Sequence, residues 1–314
     1  MWEYSGPLIS PEKRVSEPSL AQKDPSIVYD KGRWHIFMTV KLPGRTVMEY
    51  CSFTSWLDAN KAQRTVLNIS DSKYACAPQV FYFRPQKKWY LVYQVGMPGA
   101  KMMWVAYSTS NNIADPTSWS KASPILDGGA TDPRKEGGLD YWIICDQKKA
   151  YLFYTNLNGK LWRGCTDLKD FPAGFDHFEL ALQGPFFEAS HTYRLAGMQK
   201  YLTIIEENGK RYYKAYLADT LDGVWSPLAV TADHPFAGSA NIRPAAGVTV
   251  WTDNVSHVEL IRKGSDEMMT VDGANLQMVF QGMMDKDKGG IAYGQFQWRL
   301  GLLTPVKASV GREY

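Results

Sequence analysis

The sequence is poor in the features that mark several large classes of protein. It contains four cysteines in 314 residues, and none lies in a CxxC or Cys/His pattern that would indicate zinc. No stretch approaches the roughly 18 consecutive apolar residues of a membrane-spanning helix. The formal net charge is only +3, and no Lys/Arg run is present. We therefore expect a soluble protein with neither a membrane nor a nucleic acid as its partner.

Other absences concern the architecture. We find no long helical period and no low-complexity linker, so residues 1–314 are predicted to form a single domain, in which a segment of about 20 residues at the start flanks or closes the fold. Aromatic residues make up 13% of the chain, which favours strands that stack face to face. The first residues, Met1-Trp2-Glu3-Tyr4, lack the basic and then apolar pattern of a secretion signal.

One strand pattern recurs along the chain. In each copy an apolar strand begins after a small, acidic or polar residue. A turn follows, and then a second, aromatic-rich strand. The starts lie at Asp24, Ala77, Asp140, Glu188 and, more weakly, His257. A spacing of roughly 50–70 residues is typical of the blades of a β-propeller. The sequence thus predicts an all-β fold, a five-bladed β-propeller.

Three of these strand starts are carboxylic acids: Asp24, Asp140 and Glu188. Because the first strand of each blade lines the central channel, we expect the three side chains to meet at one mouth. Cleavage of a glycosidic bond needs one carboxylic acid to protonate the leaving oxygen and one carboxylate to act at the anomeric carbon. A third acid can keep the first one protonated by charge repulsion. A single Asp at a strand start usually accepts only backbone hydrogen bonds, but three at equivalent positions favour an active site.

Several short segments form a specific combination. They are Lys23-Asp24, Ala77-Pro78-Gln79-Val80-Phe81-Tyr82-Phe83, Gly138-Leu139-Asp140, Phe187-Glu188-Ala189, Asn254-Val255-Ser256-His257 and Leu300-Gly301-Leu302-Leu303-Thr304. Together they resemble glycoside hydrolase family 62, the α-L-arabinofuranosidases that trim arabinose from arabinoxylan. The resemblance runs from about Lys23 to Pro305. It implies a five-bladed propeller, in agreement with the repeat, and inverting hydrolysis.

The resemblance also implies a role for each matching residue. Asp24 resembles the general base and Glu188 the general acid, while Asp140 resembles the acid that tunes pKa and orientation. The substrate is expected to contact Lys23, Pro78, His257 and Tyr293.

Further expectations concern the metal and the setting of the enzyme. His257 resembles a channel histidine associated with a central calcium, so a structural calcium ion with His257 as its ligand is expected, although the chemistry itself needs no cofactor. The resemblance implies a secreted, extracellular enzyme, and we expect a monomer.

Two departures from the family pattern concern the substrate site. After Tyr93-Gln94 the family has Trp-Gly-Pro, whereas this chain has Val95-Gly96-Met97-Pro98. We expect Met97 or Trp104 to occupy the volume of the missing indole. The family's Tyr-Asn pair near the end is Tyr293-Gly294 here, which removes a side-chain contact to the xylan backbone.

Two alternatives remain at the level of sequence. A β-xylosidase or arabinanase similar to family 43 would share the acids but have a different pocket, and a catalytically silent propeller would only bind glycan. The intact acid trio favours an enzyme, because a pure binding site needs no buried acid with a raised pKa. The sequence therefore predicts an exo-acting, inverting α-L-arabinofuranosidase, with arabinoxylan or arabinoxylo-oligosaccharides as its partners.

Overall fold

The computed structural model describes residues 1–96, 103–126, 138–207, 209 and 211–306. Within these ranges the chain consists mostly of strands, which form five sheets of four or five strands each. The sheets follow one another along the chain as the blades of a propeller, and their strands pair mainly in antiparallel order. The predicted five-bladed β-propeller is confirmed.

The strands are numbered along the chain. A first strand, β1 (Trp2–Tyr4), precedes blade 1, which contains β2 (Ala21–Asp30), β3 (Arg33–Leu42), β4 (Arg45–Phe53) and β5 (Arg64–Val66). Blade 2 contains β6 (Ala75–Phe83), β7 (Lys88–Val95), β8 (Trp104–Ser110) and β9 (Ser123–Pro124). Blade 3 contains β10 (Leu139–Cys145), β11 (Lys149–Asn156), β12 (Lys160–Asp167) and β13 (Asp176–Gln183).

The last two blades exchange strands with more distant parts of the chain. Blade 4 contains β14 (His191–Leu195), β15 (Tyr201–Glu206), β16 (Tyr213–Ala218) and β17 (Ser226–Ala229), and β20 (Thr270–Val271) pairs with its innermost strand. Blade 5 contains β18 (Ile242–Pro244), β19 (Ser256–Leu260), β21 (Met278–Gly282) and β22 (Arg299–Pro305) together with β1. Because β1 lies between β18 and β22, strands from near both ends of the chain share one sheet.

Helical structure in the described ranges consists of short 3₁₀ helices: Trp56–Lys61, Arg84–Gln86, Asp285–Lys288 and Tyr293–Gln295. None of the described helices has the length and apolar character needed to span a bilayer. The cysteines Cys51, Cys76, Cys145 and Cys165 all carry free thiols.

Aromatic side chains pack between the blades and fix their spacing. Trp142 of blade 3 lies edge-on to Tyr193 of blade 4, with ring centroids 5.3 Å apart, and both side chains are fully buried. The hydroxyl of Tyr193 in turn accepts a hydrogen bond from the Leu260 amide of blade 5 at 3.0 Å. Burial of each such side chain contributes about 1.5–3 kcal/mol. The blades therefore form a rigid ring that holds the starts of their innermost strands in place.

A bulge recurs near the start of each innermost strand. At this point each blade has one non-glycine residue with a positive φ: Asp24 (47°), Ala77 (52°), Asp140 (53°), Ala189 (55°) and His257 (36°). The strand register shifts at the same place in blades 1, 2, 3 and 5. Positive φ is uncommon for residues with a Cβ, and bulges re-aim side chains beside active sites. The repeat is thus a repeat of backbone geometry as well as of sequence.

A side chain caps the backbone N–H of each positive-φ residue. The donor and acceptor pairs are Asp24 with Gln281 (2.9 Å), Ala77 with Thr39 (2.9 Å), Asp140 with Gln94 (2.8 Å), Ala189 with Asp140 (2.7 Å) and His257 with Glu206 (3.0 Å). Four of the acceptors lie at one equivalent position on the second strand of the preceding blade. In blade 3 that position is Thr155, whose buried hydroxyl has no partner among the described residues. Asp140 caps Ala189 instead.

The structure corrects one element of the predicted repeat. Asp24 and Asp140 are equivalent, but the equivalent residue of blade 4 is Ala189, and Glu188 lies one position earlier. Glu188 therefore corresponds to Lys23 of blade 1, and its carbonyl accepts a hydrogen bond from the Glu206 amide at 3.1 Å. Spacing alone did not reveal the offset, because a bulge places two consecutive residues opposite one partner and lets both side chains reach the channel mouth.

Candidate active site

A pocket of about 290 Å³ lies at the mouth of the channel where the bulges meet. Its lining residues are Lys23, Asp24, Tyr74, Cys76, Gln94, Leu139, Asp140, Leu157, Phe187, Glu188, Arg211, His257 and Tyr293. All three predicted acids are among them, together with three of the four residues predicted to contact substrate. The fourth, Pro78, is buried in β6 behind Ala77 and does not line the pocket.

A larger groove of about 1,020 Å³ lies elsewhere, at the edge of blade 5 between Gly6 and Arg299. Among its lining residues Asp287 is the sole carboxylic acid. Glycosidic bond cleavage needs two carboxyl groups. We therefore assign the chemistry to the smaller pocket, where three of them meet.

Asp24 is held as a carboxylate by its neighbours. Its Oδ1 lies 3.3 Å from Nδ1 of His257 and 3.8 Å from Nζ of Lys23. Burial by itself raises the pKa of Asp24, but the charges of Lys23 and His257 and a hydrogen bond from Thr39 outweigh it, so the pKa is lowered. A buried carboxylate that stays ionised is suited to accept a proton.

Asp140 interacts electrostatically with both of the other acids. Its Oδ2 accepts a hydrogen bond from the amide of Ala189 at 2.7 Å and lies 4.0 Å from Nδ1 of His257. Burial raises the pKa of Asp140, and the negative charge of Asp24 adds to that rise, while His257 and the Ala189 amide oppose it. Because Ala189 follows Glu188 in the chain, this hydrogen bond also fixes the backbone beside Glu188.

Glu188 is the acid whose protonated form is favoured. Burial raises its pKa well above the ordinary value, and the charges of Asp140 and Glu206 add to the rise. Lys23 and Arg211 oppose it only in part, the Arg211 Nη1 being 3.9 Å from Oε1 of Glu188. The pocket thus holds two carboxyl groups whose pKa values are displaced in opposite directions, lowered for Asp24 and raised for Glu188. This pattern suits one group to act as a general base and the other as a general acid.

Two charged residues of the site were missed by sequence reasoning. Glu206 is fully buried and accepts hydrogen bonds from the Ser256 hydroxyl (2.9 Å), the His257 amide (3.0 Å) and Nη1 of Arg211 (2.9 Å). The Arg211 guanidinium also lies 5.0 Å from the ring centroid of Phe187. The sequence does contain a signal for Glu206. This residue occupies the same capping position on the second strand as Gln94 and Gln281, but this equivalence is visible only when the second strands of the blades are aligned.

Lys23 and Tyr293 form one side of the pocket. Nζ of Lys23 lies 5.1 Å from the ring centroid of Tyr293, whose side chain is 48% exposed at the rim. The segment that leads from β21 to Tyr293 is held near its start by Asn254. Nδ2 of Asn254 donates to the Met283 carbonyl at 2.9 Å and to Asp285 Oδ1 at 3.0 Å. The contact between Lys23 and Tyr293 places the ammonium of Lys23 in the pocket beside its rim.

Val95 is a core residue, although it stands where the family has a pocket tryptophan. Its side chain is 6% exposed, it packs in a cluster with Ala75 and Tyr93, and it does not line the pocket. Trp104 pairs with Val95 across β7 and β8 and is not among the lining residues either. Met97 lies outside the described residues.

We expect Val95→Trp to destabilise the protein without improving the site. Insertion of a large side chain into a packed core typically costs about 1–3 kcal/mol, so the melting temperature should fall while affinity for arabinose stays unchanged. Val224→Trp is the matched control, since Val224 is exposed. Tighter arabinose binding with an unchanged melting temperature would show that position 95 faces the sugar.

Among the described residues, no group of three or more His, Cys, Asp or Glu side chains is placed to hold a metal ion. Calcium takes six to eight oxygen ligands. The predicted ligand His257 instead turns Nδ1 towards Asp24 and Asp140. Calcium stays a prediction, and no step proposed below depends on it.

The fold and the pocket define a class of protein, a five-bladed propeller with a glycosidase-like set of carboxylic acids at one mouth of its channel. A model described as Glycosyl hydrolase family 62 matches residues 1–304. The chain is 37% identical over 316 residues to "Alpha-L-arabinofuranosidase C" of Cellvibrio japonicus, covering 98% of this chain and 47% of that protein. It thus spans about half the length of that relative.

Solved structures agree. The catalytic domain of a Coprinopsis cinerea GH62 α-L-arabinofuranosidase is 35% identical, with 96% of both chains covered and a TM-score of 0.88. A GH62 hydrolase in complex with xylotriose is 32% identical, with 97% of both chains covered and a TM-score of 0.85. The chain belongs to glycosyl hydrolase family 62, which confirms the resemblance. A family-43 glycoside hydrolase at 15% identity and a TM-score of 0.60 shares the fold alone.

Proposed function

We propose that the protein is an exo-acting, inverting α-L-arabinofuranosidase that removes arabinofuranosyl side chains from arabinoxylan or its oligosaccharides. Membership of family 62 and the names of the similar proteins support the activity. The observation that carries the proposal is the meeting of Asp24, Asp140 and Glu188 in one pocket, and the lowered pKa of Asp24 and raised pKa of Glu188 support it.

In the proposed reaction Asp24 is the general base. Its carboxylate takes a proton from a water molecule while the water oxygen forms a bond to the anomeric carbon. The glycosidic bond breaks on the opposite face, and its electron pair goes to the xylan oxygen, which receives the proton of Glu188. Arabinose leaves with inverted configuration, and exchange with water returns one proton to Glu188 and removes one from Asp24.

Asp140 acts through Glu188. Its carboxylate holds the Ala189 amide and so orients the backbone of the acid, while its charge contributes to the raised pKa of Glu188. Lys23 keeps Asp24 ionised and stands where it can donate to the sugar hydroxyls. We assign Pro78 no direct contact, because it does not line the pocket.

The size of the pocket supports exo action, because a volume of about 290 Å³ suits a single terminal sugar rather than a stretch of polymer. Buried Arg262, which follows β19, ties this part of the chain to blades 1 and 2, since its Nη2 donates to the carbonyls of Ile27 (3.0 Å) and Val80 (2.8 Å). A structural relative of 32% identity was solved in complex with xylotriose, which supports a xylan-derived substrate. Secretion and a monomeric state stay predictions.

Proton NMR of a digest of wheat arabinoxylan tests this function. We expect free arabinose whose first-formed anomer is β, with the xylan main chain left at its original length. A first-formed α anomer would assign a retaining mechanism, and release of xylose would favour a β-xylosidase. Binding without any released sugar would favour the silent propeller.

The pH dependence should report the influence of Asp140 on the acid. Glu188 must be protonated to act, so kcat falls as pH rises through its raised pKa. Asp140→Asn removes a negative neighbour, lowers that pKa and should move the basic limb of the kcat profile to lower pH. Asp71→Asn, at a solvent-exposed carboxylate, is the control. A basic limb that stays in place or moves upward would contradict the assignment.

A further inference from the structure

The blade 2 side of the pocket is built from residues to which the reaction above gives no part: Tyr74, Cys76 and Gln94. Cys76 immediately precedes the positive-φ residue Ala77, so it occupies the repeat position of Lys23 in blade 1. Lys23 and Cys76 both line the pocket, as do Leu139 and Glu188 at the same position of blades 3 and 4. Blade 2 therefore faces the substrate with a thiol and, two residues earlier, with an aromatic ring.

The backbone of Tyr74 is fastened between two blades. Its carbonyl accepts hydrogen bonds from the Gly96 amide (2.8 Å) and the Ser72 hydroxyl (3.1 Å), and its own amide donates to that hydroxyl at 3.1 Å. A β-bridge joins Tyr74 to Thr46 of blade 1. A Cβ on Gly96 would lie only 3.1 Å from the Cβ of Tyr74, so glycine permits this approach.

Polar contacts connect the Cys76 thiol to the catalytic acids. Tyr74 and Cys76 both line the pocket, and the phenol and the thiol interact electrostatically, since Cys76 raises the pKa of Tyr74. The Cys76 sulfur accepts from Nε2 of Gln94 at 3.2 Å, and Oε1 of Gln94 accepts from the Asp140 amide at 2.8 Å. Burial raises the pKa of Cys76 to about 12, so the thiol stays neutral and serves as a hydrogen-bonding group rather than as a nucleophile.

The Tyr74 side chain is accessible to a ligand. It is 40% exposed although its backbone is fixed, it lines the pocket, and the charges of Lys23 and Asp24 act on its hydroxyl. Tyr293 lies on Lys23 and forms a second aromatic boundary of the pocket. An aromatic face suits the apolar C–H face of a sugar ring, while the phenol hydroxyl provides a polar handle.

We propose that Tyr74 is a specificity-determining residue that holds the arabinofuranosyl ring in the pocket, and that Cys76 and Gln94 position its side chain. The proposal rests on the function proposed above. It predicts an effect on binding of the sugar and little effect on the chemical step, because no atom of Tyr74 takes part in the proton transfers.

The test compares Tyr74→Ala, Tyr74→Leu and Tyr74→Phe with the wild type on arabinoxylo-oligosaccharides, with Tyr29→Ala as the control. Tyr29 is 51% exposed and lies at the end of β2 that is distant from the pocket. Tyr74→Ala and Tyr74→Leu should raise KM and the inhibition constant of L-arabinose by about tenfold, the order expected for loss of a buried aromatic contact, with kcat changed less than about threefold. Tyr74→Phe should raise both by about two- to threefold.

Cys76→Ala probes the positioning. It should raise the inhibition constant of arabinose about as much as Tyr74→Phe does, and the double variant should be no worse than either single one, because both changes remove the same contact. Additive losses would show that Cys76 does not act through Tyr74.

A catalytically disabled background separates this proposal from the proposed function. In Glu188→Gln, arabinose should raise the melting temperature by ligand binding, and adding Tyr74→Leu should abolish that rise at the same sugar concentration. An unchanged rise would overturn the role of Tyr74 even if arabinoxylan is the substrate. A wild-type enzyme that releases no arabinose, yet whose arabinose-dependent stabilisation needs Tyr74, would overturn the proposed reaction alone. Loss of kcat at constant KM in Tyr74→Leu would also contradict a role in binding.

Discussion

Glu188→Ala should lower kcat on arabinoxylan by roughly 10²–10⁴-fold, because the xylan oxygen is a poor leaving group unless it is protonated. On an aryl arabinoside, whose phenolate leaves with little protonation, the loss should shrink to about tenfold or less. The contrast between the two substrates is the informative result, since it isolates the proton delivered to the leaving group. Steady-state kinetics on both substrates measures it.

Two further measurements make the Glu188 experiment decisive. Glu179→Ala is a matched control, because its carboxylate is 65% exposed, lies on β13 and does not line the pocket. The melting temperature of Glu188→Ala should stay close to that of the wild type or rise, since the change removes a carboxylic acid crowded by the negative charges of Asp140 and Glu206. Equal losses of kcat on the two substrates would reject Glu188 as the proton donor.

Asp24→Ala should lower kcat by roughly 10²–10⁴-fold on both substrates alike. Attack by water needs a base whatever the leaving group is, so the loss of kcat should not shrink on an aryl arabinoside. Azide, an anionic nucleophile that needs no deprotonation, should restore turnover of the aryl substrate and yield the β-arabinosyl azide. Chromatography and NMR of the product identify that anomer.

The β-arabinosyl azide shows that Asp24 acts on the face opposite the leaving group, which holds for a base in an inverting reaction and for a nucleophile in a retaining one, and the first-formed anomer released by the wild type decides between these two. An α-arabinosyl azide from Asp24→Ala would indicate that Asp24 is the acid/base residue of a retaining reaction, and would contradict the assignment. The Asp24 amide keeps its hydrogen bond to Gln281 in this variant, so a folding defect is not expected to account for the loss. Asp30→Ala, at the opposite end of the same strand, should retain wild-type kcat.

Much of the fold could be read from the order of residues. Alternation of apolar and polar residues and the aromatic-rich strand pairs are local features, so the number of blades and the places of their innermost strands followed from spacing. Asp24 and Asp140 were found for the same reason. Lys23 and Tyr293 came from the resemblance to the family, and His257 came from the repeat as well as from the resemblance. The structure brings all three to the pocket.

The offset of Glu188 could not be read in this way. A bulge inserts one residue into the strand and turns two neighbouring side chains to the same end, so counting residues from blade to blade leaves an uncertainty of one position. Arg211 and Tyr74 lie outside the repeated motif. Val95 was linked to the pocket only because the family has a tryptophan at that position, and the burial of Val95 in the core could be seen only in the structure.

The sequence by itself determined the class of fold, the repeat and the two aspartates, because each depends on interactions between residues close in the chain. Only the tertiary structure decided the protonation of the acids and the walls of the pocket. Those depend on charges and caps supplied by neighbouring blades, such as the contact between Asp24 and Gln281, which are 257 residues apart. Electrostatic forces act through space at a few ångströms, and the ring of blades sets those distances.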